Sequence, residues 1–165
     1  MMDAPQITLR PVTPADEEFL LSVYASTRAE EMKLVPWTAE QKDAFVRMQY
    51  AAQKQHYAAM YPAASYDVIQ KDQTAIGRLW VERKAGELHI LDITVLPEHR
   101  GRGAGGTLLR RLLEEAGASA NVVTIYVESF SPSLRLFEQL GFRKEREEGH
   151  QFLMKWQAQR EWQPG

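Results

Sequence analysis

A chain of 165 residues with 44% hydrophobic, 10% aromatic and 25% charged side chains has the length and composition of one ordinary folded domain, so residues 1–165 are read as a single unit. Twenty Lys+Arg against 22 Asp+Glu leave a net charge of −2, which argues against nucleic acid as the main partner, because counterion release needs a basic face. The absence of cysteine excludes disulfides, thiolate metal sites and an enzyme thiol, and the four histidines, His56, His89, His99 and His150, lack helical i, i+4 pairing, so no metal is expected. Residues Met1 to Gln6 show no basic stretch leading into an apolar run, and nothing approaches the ~20 apolar residues of a membrane helix. A cytoplasmic protein without membrane attachment is the expectation, and homodimer formation is left open.

Ile7 to Arg10 reads as a short strand. Thr13-Pro14-Ala15-Asp16 then opens a helix to about Arg28, with Thr13 as cap and Phe19, Leu20, Val23 and Tyr24 on its apolar stripe. Thr38 with Gln41 forms a capping box for a second helix to about Tyr57. From Tyr66 the pattern shortens: Tyr66 to Ile69, a turn at Lys71-Asp72 and Ala75 to Glu82 predict a hairpin. After Ala85-Gly86, Leu88 to Val95 is apolar on both alternating faces, as in a central strand covered on both sides. Leu108, Leu109, Leu112, Leu113 and Ala116 mark the next helix, with Arg110/Glu114 and Arg111/Glu115 as expected ion pairs on its wet face. Val122 to Val127 is a strand, Ser131-Pro132 opens a helix running to Leu140, and two strands joined at Glu148-Gly149 close the chain.

The glycine-dense loop Arg100-Gly101-Arg102-Gly103-Ala104-Gly105-Gly106-Thr107 lies between the central strand and a helix start. Glycines let backbone N–H groups approach an anion, and the free N–H groups of a helix start face the same concavity. A phosphate or pyrophosphate is the natural occupant, with Arg100 and Arg102 adding charge; a flexible surface turn is the plainer alternative. Gly101, Gly103 and Gly106 also satisfy G-x-G-x-x-G, and Glu128 stands where a ribose-binding acid would, so a dinucleotide-binding oxidoreductase has to be weighed. The insertion Leu96-Pro97-Glu98-His99-Arg100 argues against it, because a Rossmann turn puts its first glycine almost on the strand end. Thr107-Leu108 after Gly106 lacks the Lys-Ser/Thr pair of a P-loop.

Ile93-Thr94-Val95 followed by Leu96 to Gly105, together with Leu134-Arg135-Leu136-Phe137-Glu138-Gln139-Leu140-Gly141-Phe142, resembles the GNAT superfamily of acyl-CoA-dependent N-acyltransferases. Arg100, Gly103 and Gly105 fit its Arg/Gln-x-x-Gly-x-Gly/Ala signature, and the second stretch fits its helix ending in Leu-Gly-Phe. The resemblance implies a mixed, mostly antiparallel sheet flanked by helices on both faces, an α/β (α+β) fold. It implies acetyl-CoA as co-substrate, with the pyrophosphate on the amides of Gly101, Arg102, Gly103, Ala104, Gly105 and Gly106. Pantetheine would pair with the backbone of Ile93, Thr94 and Val95, and the thioester would lie between the stretches 91–95 and 124–127.

Transfer to an amine of pKa near 10 needs about 4 kcal/mol to deprotonate it at pH 7, so a base or a water chain is useful. His89 and Asp92 are the titratable groups of the central strand, and strand alternation puts them on opposite faces. By resemblance His89 stands near a strand glutamate of some family members; a hydrogen-bonded structural histidine is the alternative. Asp92 is read as a structural salt bridge or an acceptor-binding group, and Glu128 as a contact for a cationic acceptor or an exposed cap. Where many members carry a tyrosine that protonates the thiolate, this chain has Phe137, so Tyr126 or a water is the candidate substitute. Ser131 stands nearest the family's usual asparagine and is a candidate cofactor contact. Trp37, Tyr50, Tyr57, Tyr61 and Tyr66, with His56, form either an aromatic pocket for an amine or ordinary helix packing. The leading expectation is an acetyl-CoA-dependent N-acetyltransferase acting on a small-molecule or protein amine; the non-enzymic alternative is an acyl-CoA-binding module.

Overall fold

The computed structural model describes residues 6–119 and 121–158. The expectation for the first five residues therefore lies outside the described part. The elements are β1 (Ile7–Pro11), a 3-10 turn (Pro14–Asp16), α1 (Glu17–Lys33), α2 (Ala39–Met60), β2 (Ser65–Lys71), β3 (Thr74–Lys84), β4 (Glu87–Val95), a second 3-10 turn (Pro97–His99), α3 (Ala104–Ala118), β5 (Val122–Glu128), α4 (Leu134–Gln139), β6 (Arg143–Glu148) and β7 (Gln151–Gln157). The strands form a seven-stranded sheet in the order β1-β2-β3-β4-β5-β7-β6. It is mixed and mostly antiparallel, as the resemblance implied, with β4 and β5 parallel.

Contacts divide the chain into two compact units, one running to Trp80 and including Ile93–Gly105, the other comprising Val81–Asp92 and the chain from Gly106. In the first unit the α1 stripe of Leu20, Leu21 and Tyr24 packs with Val46 and Tyr50 of α2 and Val68 of β2. The α2 capping box forms as read: Gln41 N–H donates to Thr38 Oγ1 (3.1 Å) and Thr38 N–H to Gln41 Oε1 (2.9 Å). Before α1, Thr13 is the N-cap of a capping box with Asp16, as expected. The Asp16 carboxylate takes the Thr13 N–H (2.8 Å) and hydroxyl (3.1 Å) and a two-pronged pair from Arg10 (2.8 and 2.7 Å). These donors hold the Asp16 carboxyl well below the usual carboxylate range.

In the second unit the leucines of α3 are buried, and so are Leu88 and Ile90 of β4, Val123, Ile125 and Val127 of β5 and Met154 of β7. Val123 lies opposite Trp156 and Ile125 opposite Met154. A Cβ on Gly117 at the end of α3, or on Gly141 just after α4, would stand 3.7 or 3.3 Å from the Trp156 indole. Both helix ends therefore share the sheet face of Val123 and Trp156. Alternation leaves His89, Thr124, Tyr126 and Leu153 on the other face of this unit.

One local expectation changes. Ser131 does not open α4: its hydroxyl shares a hydrogen with Ser133 Oγ (2.7 Å) and accepts from Ser133 N–H (3.2 Å), a side-chain turn that postpones the helix to Leu134. Glu115 has a cation beyond those of its own helix, since Arg83 of β3 reaches it with two hydrogen bonds (2.5 and 3.0 Å).

Gly77 of β3 went unnoticed in the sequence, although a Cβ there would collide with the Thr94 carbonyl oxygen of β4. Backbone cannot yield as a side-chain tip can. Gly77→Ala is expected to cost about 1–3 kcal/mol, read as a lower midpoint in urea denaturation.

Candidate functional site

The glycine loop is held to the end of β4 by hydrogen bonds. Leu96 N–H donates to the Ile76 carbonyl (2.8 Å), the turn Pro97–His99 closes through Arg100 N–H to the Pro97 carbonyl (3.2 Å), and Arg100 Nε donates to the Val95 carbonyl (2.9 Å). Arg100, expected as charge for an anion, thus also clamps the loop onto the strand it leaves. Ile93 and Val95 are half-buried and Thr94 is buried.

Beyond the clamp, Gly101 and Gly103 have φ of 77° and 85°, the left-handed region that costs other L-residues roughly 1–2 kcal/mol. A Cβ at Gly101, Gly103 or Gly105 would meet no heavy atom within 4 Å. The glycines are thus not demanded by packing inside the protein, and the loop backbone is open to a ligand. Arg102 is exposed on this loop, and α3 starts at Ala104, placing Gly105, Gly106 and Thr107 in its first turn, whose N–H groups have no intrahelical acceptor. The guanidinium of Arg110, the expected partner of Glu114, lies 3.5 Å from the Cβ position of Gly106. Arg110 therefore brings positive charge beside Gly106 on its own helix. Spacing alone hid it, because i and i+4 on a helix marks Gly106 as readily as Glu114.

His89 and Tyr126, both candidate catalytic groups, share one face of the second unit, with ring centroids 5.8 Å apart at 82°. His89 is 8% exposed. Its Nδ1 lies 2.8 Å from Thr124 Oγ1, and Thr124 Oγ1 donates to Glu87 Oε2 at 2.8 Å; the Glu87 oxygen is 4.0 Å from Nδ1. Burial pushes the imidazole below the ordinary histidine value, Lys84 acts in the same direction, and Glu87, Glu82 and a hydrogen bond to the Thr124 backbone oppose it. Arg146 of β6 donates to the Tyr126 hydroxyl (3.4 Å). Glu87, Thr124 and Arg146 escaped the sequence reading. Glu87 was legible, two residues before His89 on the same strand face; the other two depend on strand pairing.

Asp92 is half-buried on the same strand, three residues after His89. Phe137 is 4% exposed and packs edge-on against Phe142 at 5.3 Å, a core position. The aromatic group around α2 is packed ring on ring. Tyr66 stacks on Trp80 (3.9 Å, 2°), Tyr57 meets Trp80 edge-on (4.8 Å), Tyr61 meets Tyr57 (6.0 Å) and Trp37 meets Phe45 (5.2 Å). Tyr50 bonds Tyr66 through their hydroxyls (2.8 Å) and tilts against Tyr24 (5.6 Å). Cations already occupy its surroundings, with Lys54 4.9 Å and the fully buried Arg78 5.8 Å from the Tyr50 ring centroid.

The Acetyltransferase (GNAT) family model matches residues 26–142. The chain belongs to the GNAT acetyltransferase family. Among solved structures it is similar to an N-acetyltransferase, PaiA, from Thermoplasma acidophilum in complex with coenzyme A, at 20% identity over 93% of this chain and 99% of that one, with a TM-score of 0.70. An acetyltransferase from Thermus thermophilus is similar at 20% identity over 92% and 97% of the two chains, TM-score 0.62. A GNAT family acetyltransferase from Elizabethkingia anophelis with acetyl-CoA bound is similar at 16% identity over 92% and 98%, TM-score 0.57. Among curated proteins none matches.

The two kinds of glycine in the loop should separate on substitution. Gly103→Ala, at positive φ, is expected to lose roughly 1–2 kcal/mol, whereas Gly105→Ala in the first helical turn keeps or slightly raises stability. Urea denaturation of the two variants reads the difference.

Proposed function

We propose that the protein transfers the acetyl group of acetyl-CoA to a primary amine by direct attack in a ternary complex, and that residues 1–165 act as one cytoplasmic acetyltransferase domain. The observation that carries this reading is the open glycine loop, clamped by Arg100 and running into α3 in a chain of the GNAT family. The backbone from Gly101 to Gly106 would hold the cofactor pyrophosphate, with Arg102 and Arg110 supplying charge. Three relations support it: open space over the glycines, left-handed φ at Gly101 and Gly103, and a guanidinium beside Gly106. The complexes with coenzyme A and acetyl-CoA named among the similar structures support the same choice of co-substrate. Ile93 and Thr94 would offer strand backbone to the pantetheine, while the Val95 carbonyl is committed to Arg100.

Bound acetyl-CoA supplies a thioester carbon activated for attack and a thiolate leaving group. His89 acts as the base: burial keeps it neutral at pH 7, so it can take the proton that the amine must lose. Tyr126, which accepts a hydrogen bond from Arg146, is the hydroxyl assigned to return a proton to the thiolate, because Phe137 has none to give. Asp92 and Ser131 are assigned to acceptor and cofactor contacts respectively.

Acetyl-CoA with a panel of small and peptide amines should release free thiol, measured colorimetrically, and Gly105→Glu should abolish acetyl-CoA binding in calorimetry while remaining folded. Binding without turnover on any amine would instead make the chain an acyl-CoA-binding module; undiminished binding by Gly105→Glu would move the cofactor elsewhere.

The pH dependence follows from the sign of the histidine shift. A base lowered by burial is half-protonated below about pH 6.5, so kcat/KM should fall as pH drops through a midpoint under that value. His89→Gln should remove this limb and lower turnover by roughly 10²–10⁴, leaving the alkaline rise that belongs to the free amine.

A further inference from the structure

We propose that Glu87 and Thr124 are positioning residues that fix the tautomer of His89, placing its proton on Nδ1 and leaving Nε2 as the nitrogen that accepts the proton of the attacking amine. The inference rests on the reading of His89 as base and goes further by assigning the group that sets which nitrogen works.

The Glu87 carboxylate has only acceptor oxygens, so the Thr124 hydroxyl spends its single proton on Glu87 Oε2 at 2.8 Å. Facing the imidazole, Thr124 Oγ1 then has only lone pairs to offer. At 2.8 Å from it, Nδ1 must be the donor. A neutral imidazole with its proton on Nδ1 carries its lone pair on Nε2.

Burial strengthens the restriction. Thr124 is 6% exposed and His89 8%, so the tautomer with the proton on Nε2 would set two lone pairs against each other where water cannot relieve them. Parallel pairing holds the geometry, since His89 is the direct partner of Thr124 and Glu87 begins the same register opposite Val122. The charged and titratable groups acting on the ring are Glu87 on its own strand, Glu82 and Lys84 of β3, and Tyr126 of β5 at its edge. Glu82 is itself paired with Lys84 at 3.0 Å, which leaves Glu87 as the carboxylate aligned with Nδ1 through the hydroxyl.

In the reaction the proton balance is simple. As the amine nitrogen forms its bond to the acyl carbon, the C–S bond breaks and coenzyme A departs as a thiolate that takes a proton from Tyr126, itself reprotonated from solvent; the amine proton passes to Nε2, giving an imidazolium that still donates from Nδ1 to Thr124. Glu87, 4.0 Å from Nδ1, offsets part of that charge. The proton then leaves to solvent and the neutral tautomer returns.

Three variants and a spectroscopic readout test this. Thr124→Val keeps shape and removes the hydroxyl, Thr124→Ser keeps the hydroxyl, and Glu87→Gln removes the charge. The ¹⁵N shifts of labelled histidine should show wild-type His89 protonated on Nδ1 at pH 8, a bias weakened in Thr124→Val, where the backbone bond at position 124 remains, and retained in Thr124→Ser. Thr124→Val should lower kcat about 10–100-fold with the KM for acetyl-CoA unchanged, Thr124→Ser should restore it, and Glu87→Gln should move the acid limb of kcat to lower pH.

A wild-type His89 protonated on Nε2, or Thr124→Val and Glu87→Gln variants with unaltered kcat and pH profile, would overturn the proposal. If His89→Gln keeps full activity while the ¹⁵N shifts still show the Nδ1 tautomer depending on Thr124, the hydrogen-bond relay stands and the assignment of His89 as base falls.

Discussion

The parallel pairing of β4 with β5 is the constraint on which the site depends. Antiparallel neighbours can be joined by two-residue turns, as at Asp72-Gln73 with φ of 49° and 73°, but parallel neighbours need a crossover that returns the chain to the starting edge. Here that crossover is the clamped loop followed by α3. One topological requirement therefore produces both a glycine loop leading into a helix N-terminus and the register that sets Thr124 beside His89. The paired register runs from Glu87 opposite Val122 to Ile90 opposite Ile125, while β4 extends to Val95 and β5 to Glu128.

The glycine loop, proposed as the pyrophosphate site, is open by its own conformation. Glycines at Gly101 and Gly103 take conformations that other residues resist, and the space above them is unfilled by the protein's own side chains. The Arg100 hydrogen bond to the Val95 carbonyl ties that open segment to the sheet, so part of the ordering is complete before any ligand binds. Positive charge comes from arginines that are not consumed by one carboxylate apiece. Arg110 leans toward Gly106, and Glu115 is taken by Arg83.

At His89 two opposing effects meet. Desolvation favours the neutral ring, and nearby carboxylates favour the charged one; burial is the larger. The base role proposed for His89 draws on this combination, because a ring protonated at rest cannot accept a proton and one with no neighbouring carboxylate would resist taking it. Thr124 connects the two effects by sitting between the ring and Glu87.

Periodicity and punctuation alone determined most of the architecture. The seven strands, the capped α2 helix and the glycine loop before α3 are legible because each is specified by residues within a few positions of one another: alternation, a Thr38-to-Gln41 box, a run of glycines. The family signature was legible for the same reason. What lay beyond the sequence depends on atoms brought together across the sheet. Thr124 beside His89, the Tyr126 hydroxyl under Arg146, Arg83 on Glu115 and the collision that keeps Gly77 a glycine all join residues distant in the chain. The local exception, Ser131 postponing α4, arose where a short polar side chain had two backbone or side-chain partners within reach. Sequence pattern records which face a residue occupies. Register, and with it the proton position on His89, is decided only when the strands pair, because a one-residue slip would put a different side chain against the ring.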